Sequence, residues 1–138
     1  MSLNVLIVED AQALARNIAA FLQRRAIHVE ITDTLGGAIE RLESGTEFDV
    51  LLLDVGLPDG NGLEFFSQIS PDYPELRMIA MSGGDLELPE IATRKAGGIS
   101  FLAKPFALSR ILDVLQYVAP GISASNRRDL EKNNPVCP

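Results

Sequence analysis

The sequence predicts an α/β fold of (βα)5 pattern, a doubly wound parallel sheet of five strands, and three observations carry that prediction. Residues 5–8, 50–53 and 78–81 are short unbroken apolar runs, the pattern of strands covered on both faces. Amphipathic stretches of helical period lie between the runs. Acidic, hydroxyl and ammonium side chains follow the runs directly, which in a parallel sheet gathers them on one rim.

Each element follows in order. The run at 5–8 opens the sheet, and residues 11–25 read as the first helix, with Leu14, Ile18, Phe21 and Leu22 on one stripe. Residues 29–32 read as a flanking strand because they are shorter and less uniform. The second helix covers 35–43, with Leu35, Ala38, Ile39 and Leu42 as its stripe and Asp33 or Thr34 as its N-cap. The central strands at 50–53 and 78–81 are separated by a helix at 63–69. A fourth helix at 89–96 capped by Gly97, a flanking strand at 99–103 and a fifth helix at 108–118 complete the alternation. Right-handed crossovers then place helices on both faces, giving three layers. Residues 1–118 form one domain; residues 119–138, rich in Ser, Asn, Pro and charge, read as a C-terminal tail or a truncated linker.

A chain of 138 residues with 46% hydrophobic and 22% charged residues is long and apolar enough to fold around its own core. The net charge of −7 argues against direct nucleic-acid binding, since an acidic surface repels phosphate backbones. The single cysteine, Cys137, has no partner for an internal disulfide and no metal-ligand spacing. No basic segment precedes an apolar signal core, and no apolar run reaches membrane-spanning length, so a cytoplasmic protein is expected.

The rim carries the chemistry. Glu9 and Asp10 follow the first strand, Asp54 the third, Ser82 with Gly83 and Gly84 the fourth, and Lys104 with Pro105 the fifth. Two carboxylates about 4 Å apart repel by roughly 4 kcal/mol at an effective dielectric near 20, so three of them call for a counter-charge. An all-oxygen set with room for water suits Mg²⁺ better than zinc or copper, and Lys104 supplies further positive charge. A carboxylate beside a divalent cation and an ammonium is a nucleophile toward phosphorus, and Asp54 is the best candidate. Mg²⁺, Lys104, and the Ser82 hydroxyl with a backbone amide near Gly56 would each take one phosphoryl oxygen.

The segments VLIVED at 5–10, LLLDVGLPDGNGLE at 51–64, MIAMSGG at 78–84 and FLAKPF at 101–106 resemble, in order and spacing, the motifs of the receiver domain of response regulators in bacterial two-component signalling. The resemblance covers about residues 3–118. It implies a flavodoxin-like, CheY-like three-layer sandwich with strand order 2-1-3-4-5. It also implies Mg²⁺ held by Asp10, Asp54 and the Gly56 carbonyl, with Glu9 in the outer shell or reaching the metal through water. Asp54 is then the phosphoacceptor, Ser82 the switch hydroxyl, Lys104 the phosphoryl-binding ammonium and Phe101 the switch aromatic, and Pro105 follows a cis peptide. The implied partners are a histidine kinase or histidine phosphotransfer protein, a downstream effector and a phosphorylation-dependent homodimer, with no membrane and no direct nucleic acid. The output surface would be the fourth helix, fifth strand and fifth helix, near Arg94, Lys95 and Arg110. Such a domain catalyses only its own phosphorylation and dephosphorylation.

The sequence departs from the common pattern at Gly56 and Gly84, which offer no side chain to position or block a hydrolytic water, and at Phe101, where tyrosine is frequent. Two rivals stay open on the residues. A haloacid dehalogenase-type phosphatase wants a second aspartate two residues beyond the nucleophile, where this chain has Gly56; a phosphorylation-independent docking module would not need the full acidic set. Singly, Asp10 reads equally as a helix N-cap, Ser82 as a loop serine, Phe101 as core and Lys104 as solvated charge. Asp59 reads as a turn residue only, and His28, lacking acidic or cysteine partners nearby in sequence, as structural.

Overall fold

The computed structural model describes residues 3–83 and 100–118, with main-chain placement alone for 117 and 118. Five parallel strands form one sheet: β1 (Asn4–Val8), β2 (His28–Thr32), β3 (Val50–Asp54), β6 (Arg77–Ser82) and β7 (Ser100–Ala103), in the order β2-β1-β3-β6-β7. A separate hairpin of β4 (Gly56–Leu57) and β5 (Gly60–Asn61) follows β3. Leaving that hairpin aside, the order is 2-1-3-4-5, as the resemblance implies. The apolar runs became the central strands because both their faces are covered: all five residues of β3 are buried.

Alternate side chains along these strands feed two cores. Val5, Ile7, Val50, Leu52, Ile79 and Met81 point to the face covered by α1 (Gln12–Gln23) and by α4 (Leu108–Val118), the fourth helix of the described residues. Leu6, Val8, Leu51, Leu53, Met78 and Ala80 point to the face covered by α2 (Leu35–Glu43) and α3 (Gly62–Ile69). The period of two in the strands therefore builds the three layers.

The helices differ from expectation in detail. The buried stripe of α1 is Ala15, Ile18, Ala19 and Leu22, while Leu14 and Phe21 pack only at its margin. Ala15 and Ala19 thus join Ile18 and Leu22 on the face turned to the sheet, and Leu14 and Phe21 flank it. The helix stops at Gln23, short of the expected 25, in a Schellman motif: Ile27 N–H donates to Leu22 O at 3.3 Å and Ala26 N–H to Gln23 O at 3.1 Å. Ala26 sits at φ 63°, a left-handed position that costs a residue with a Cβ roughly 1 kcal/mol. Ala26→Gly is therefore expected to raise unfolding stability by about 0.5–1 kcal/mol in urea titration, glycine's greater chain entropy offsetting part of the gain. An unchanged or lower midpoint would contradict this.

Helix α2 matches the expected bounds; Thr34 caps it, its Oγ1 accepting from Gly37 N–H at 3.0 Å. Ile39 of its expected stripe is instead 41% exposed. Asn61 caps α3 by accepting from Leu63 N–H at 2.8 Å and Glu64 N–H at 3.2 Å. His28 is paired after all, with Glu30 two residues along the same strand face at 3.3 Å. The expected helix at 89–96 with Gly97, the residues Gly84, Arg94 and Lys95, and the tail at 119–138 lie outside the described residues.

Candidate functional site

Parallel pairing brings the rim together. Val8 of β1 faces Leu53 of β3, so the next residues, Glu9 just after β1 and Asp54 at the end of β3, emerge level with one another. Glu9, Asp10 and Asp54 each offer a carboxylate oxygen within 4.8 Å of the others. Glu9 and Asp54 are buried and Asp10 is exposed, so the cluster opens to solvent on the Asp10 side. From the end of β7, Lys104 reaches in: its ammonium pairs with Glu9 Oε1 and lies 3.4 Å from Asp54 Oδ2.

One ammonium is shared between two buried carboxylates. Burial pushes the Glu9 carboxyl above its ordinary pKa, and the neighbouring Asp54 charge adds to that, against hydrogen bonds from Lys104 and from Ala11 N–H. Burial alone would lower Lys104, but the hydrogen bond to Glu9 and the charges of Asp54 and Glu9 outweigh it and hold the ammonium above its ordinary value. Three carboxylates and one ammonium leave a formal charge of −3 + 1 = −2 at the cluster. That deficit, presented by oxygen donors, is what a hard divalent cation neutralises.

The backbone is packed to hold Asp54 in place. Val55 N–H continues the ladder to Met81 O at 2.9 Å, and Gly62 N–H donates to Val55 O at 2.9 Å. Gly62 lies so close that a Cβ there would stand 2.7 Å from the Asp54 carbonyl oxygen. Gly56 N–H donates to Asp54 Oδ1 at 3.2 Å, which fixes the carboxylate's rotation. Ser82 is buried at the end of β6, and its carbonyl accepts from Lys104 N–H at 2.7 Å. The lysine stem runs against Gly83, where a Cβ would stand 3.3 Å from Lys104 Cδ.

The structure thus assembles Glu9, Asp10, Asp54 and Lys104, with Gly56 hydrogen-bonded to Asp54 and Ser82 bonded to the Lys104 backbone. Phe101 is half-buried on β7, packed against the core under α2 and α3. The Lys104–Pro105 peptide is cis, and Pro105 is exposed. Arg110 is exposed on α4 and pairs with Asp113 at 3.9 Å.

Asp59 corrects the reading of a turn residue only. Its carboxylate accepts from Leu35 N–H at 3.0 Å and from Gly36 N–H at 3.2 Å, capping α2 from a hairpin 24 residues away. No local pattern announces such a cap, because the helix end it serves is remote along the chain. The Leu35 bond holds the Asp59 pKa below its ordinary 3.8. A depressed folded-state pKa contributes stability that is present above the unfolded value and lost as pH falls through the folded one. Asp59→Asn is expected to denature at lower urea concentration than the parent near neutral pH, with the gap closing as pH drops below 3.8. A gap that persists undiminished in acid would refute this.

The response regulator receiver domain model matches residues 5–116. The chain belongs to that family. Among curated relatives, this receiver domain is 34% identical over 127 residues to the KDP operon transcriptional regulatory protein KdpE of Escherichia coli K12, covering 91% of this chain and 55% of the relative. It is 29% identical over 130 residues to the signal transduction histidine-protein kinase BarA of the same organism, covering 92% of this chain and 14% of the kinase. The receiver domain thus spans about half or less of these relatives. Among solved structures, a CheY-like receiver domain protein from Methanospirillum hungatei superposes with TM-score 0.78 at 21% identity, covering 96% of this chain and 99% of that one, a likeness of fold. Among the described residues no helix is long and apolar enough to cross a membrane.

Proposed function

We propose that this receiver domain accepts a phosphoryl group on Asp54 from a histidine kinase or histidine phosphotransfer protein and changes its partner-binding face in response. The observation that carries this reading is the −2 cluster of Glu9, Asp10 and Asp54 with Lys104 between Glu9 and Asp54. Asp10, Asp54 and the Gly56 carbonyl would hold Mg²⁺, with Glu9 in the outer shell; when bound, the ion supplies charge neutralisation at the phosphoryl oxygens.

The chain's own residues do the rest. An oxygen of Asp54 forms the bond to phosphorus while the donor's bond to phosphorus breaks, its electron pair leaving with the donor; the ionised carboxylate needs no base. Lys104, the Ser82 hydroxyl and the amide near Gly56 bind the transferred oxygens. Ser82 and Phe101 then move toward the new charge, and the phosphorylated state favours one arrangement of the output face by a few kcal/mol. The chain performs only its own phosphorylation and dephosphorylation and turns over no external substrate.

We place the receiver unit at residues 1–118, with 119–138 as tail or linker, in the cytoplasm, acting on a downstream effector or through a phosphorylation-dependent homodimer. Incubation with acetyl phosphate and Mg²⁺ should add one labile phosphoryl group by intact mass, absent in Asp54→Asn. An adduct of equal yield in that variant, or steady hydrolysis of a phosphomonoester by the parent, would refute the reading.

A further inference from the structure

We propose that Asp59 is a positioning residue for the cation site: it fastens the hairpin bearing Gly56 to the N-terminus of α2, so that the two move as one unit. The inference rests on the reading of Gly56 as a backbone ligand.

Among the described residues, the hairpin has little else to hold its tip. Its strands are two residues each, pair only with each other and stand apart from the five-stranded sheet. Its base is closed by Gly62 N–H to Val55 O, and Leu57 is buried. The tip is held by the two Asp59 bonds to Leu35 and Gly36 amides, and Gly60 presses on Leu35, where a Cβ would stand 2.9 Å from Leu35 Cδ1. Gly60 has φ +155°, so glycine suits both the turn and the close approach.

The capping work on α2 is divided. Thr34 Oγ1 serves Gly37 N–H, whereas Leu35 and Gly36 N–H are served by Asp59 from outside the helix. Losing Thr34 therefore weakens the helix end alone, while losing Asp59 weakens the helix end and releases the hairpin. A ligand carbonyl held by a supported loop binds a cation better than one on a loose loop, because less ordering is left to be done on binding.

The test compares Mg²⁺ affinity by calorimetric titration of the full chain, the parent against Asp59→Ala and Thr34→Ala. Asp59→Ala should weaken binding roughly tenfold, the size typical of lost outer-shell support, and Thr34→Ala should stay near the parent. In the parent, saturating Mg²⁺ should also slow hydrogen exchange at the Leu35 and Gly36 amides. Equal weakening in both variants, no weakening in Asp59→Ala, or exchange indifferent to Mg²⁺ would overturn the proposal while leaving the phosphoacceptor reading intact. Should Asp59→Ala fold poorly, Asp59→Asn, which keeps one acceptor oxygen, must weaken Mg²⁺ binding to a smaller degree; parent-like affinity there overturns the proposal too. A parent chain that binds no Mg²⁺ overturns both.

Discussion

Replacing Lys104 by methionine is expected to destabilise the chain by about 3 kcal/mol in the absence of divalent cations, because it leaves a buried carboxylate without its partner. The Glu9 side chain is fully buried and the lysine is 21% exposed, so the pair is screened little on the glutamate side. Methionine keeps most of the apolar stem that lies against Gly83, so lost packing is a minor part of the effect. What remains is Glu9 and Asp54 facing each other with no cation between them. Uptake of a proton by Glu9, whose pKa is already raised by burial, limits the loss.

The cause can be separated from general damage. Adding Glu9→Gln to Lys104→Met removes the stranded charge while keeping the shape, and should recover most of the lost stability. The two substitutions should therefore be strongly non-additive in a double-mutant cycle read by urea unfolding. A Lys104→Met chain with the parent's midpoint, or a double variant weaker than Lys104→Met alone, would show that the pair is not what holds the rim. The stability question is independent of phosphorylation.

Much of the fold was legible because each central strand is covered on both faces, which leaves an uninterrupted apolar run such as 50–53. The rim followed from the topology, since a parallel sheet delivers the residues after Val8 and Leu53 to the same level. Details set by three-dimensional packing were less legible. The end of α1 rests on a left-handed alanine where a glycine would have advertised the stop. The stripe of α1 looked like its largest side chains, but the buried face keeps only Ile18 and Leu22 of these and takes Ala15 and Ala19 in place of Leu14 and Phe21. The hairpin of β4 and β5 has two-residue strands, too short for any periodicity, and Asp59 acts on amides 23 and 24 residues distant. His28 found its partner on the same strand face, where the alternation of strand side chains places residue 30 beside residue 28.

Gly62→Ala is expected to cost about 1 kcal/mol, although the substitution would normally favour a helix. Gly62 is the first residue of α3, and alanine is the better helix former by about 1 kcal/mol. Against this, the added Cβ would stand 2.7 Å from the Asp54 carbonyl oxygen, 3.1 Å from Leu53 Cγ and 3.1 Å from Val55 Cα. Two of those neighbours are backbone atoms that cannot swing away, so the loop after β3 must shift, at a cost of about 1–3 kcal/mol typical of overpacking. The sign is testable against Gly36→Ala in α2, where the nearest atom to the new Cβ is Asp59 Oδ2 at 4.0 Å. There the helix preference is unopposed and a gain of up to about 1 kcal/mol is expected. If Gly62→Ala gained stability as Gly36→Ala does, the close approach of α3 to Asp54 would not be a constraint on the site. If it loses stability and also lowers phosphoryl uptake from acetyl phosphate, then glycine is needed there so that the helix can press the Asp54 backbone into place.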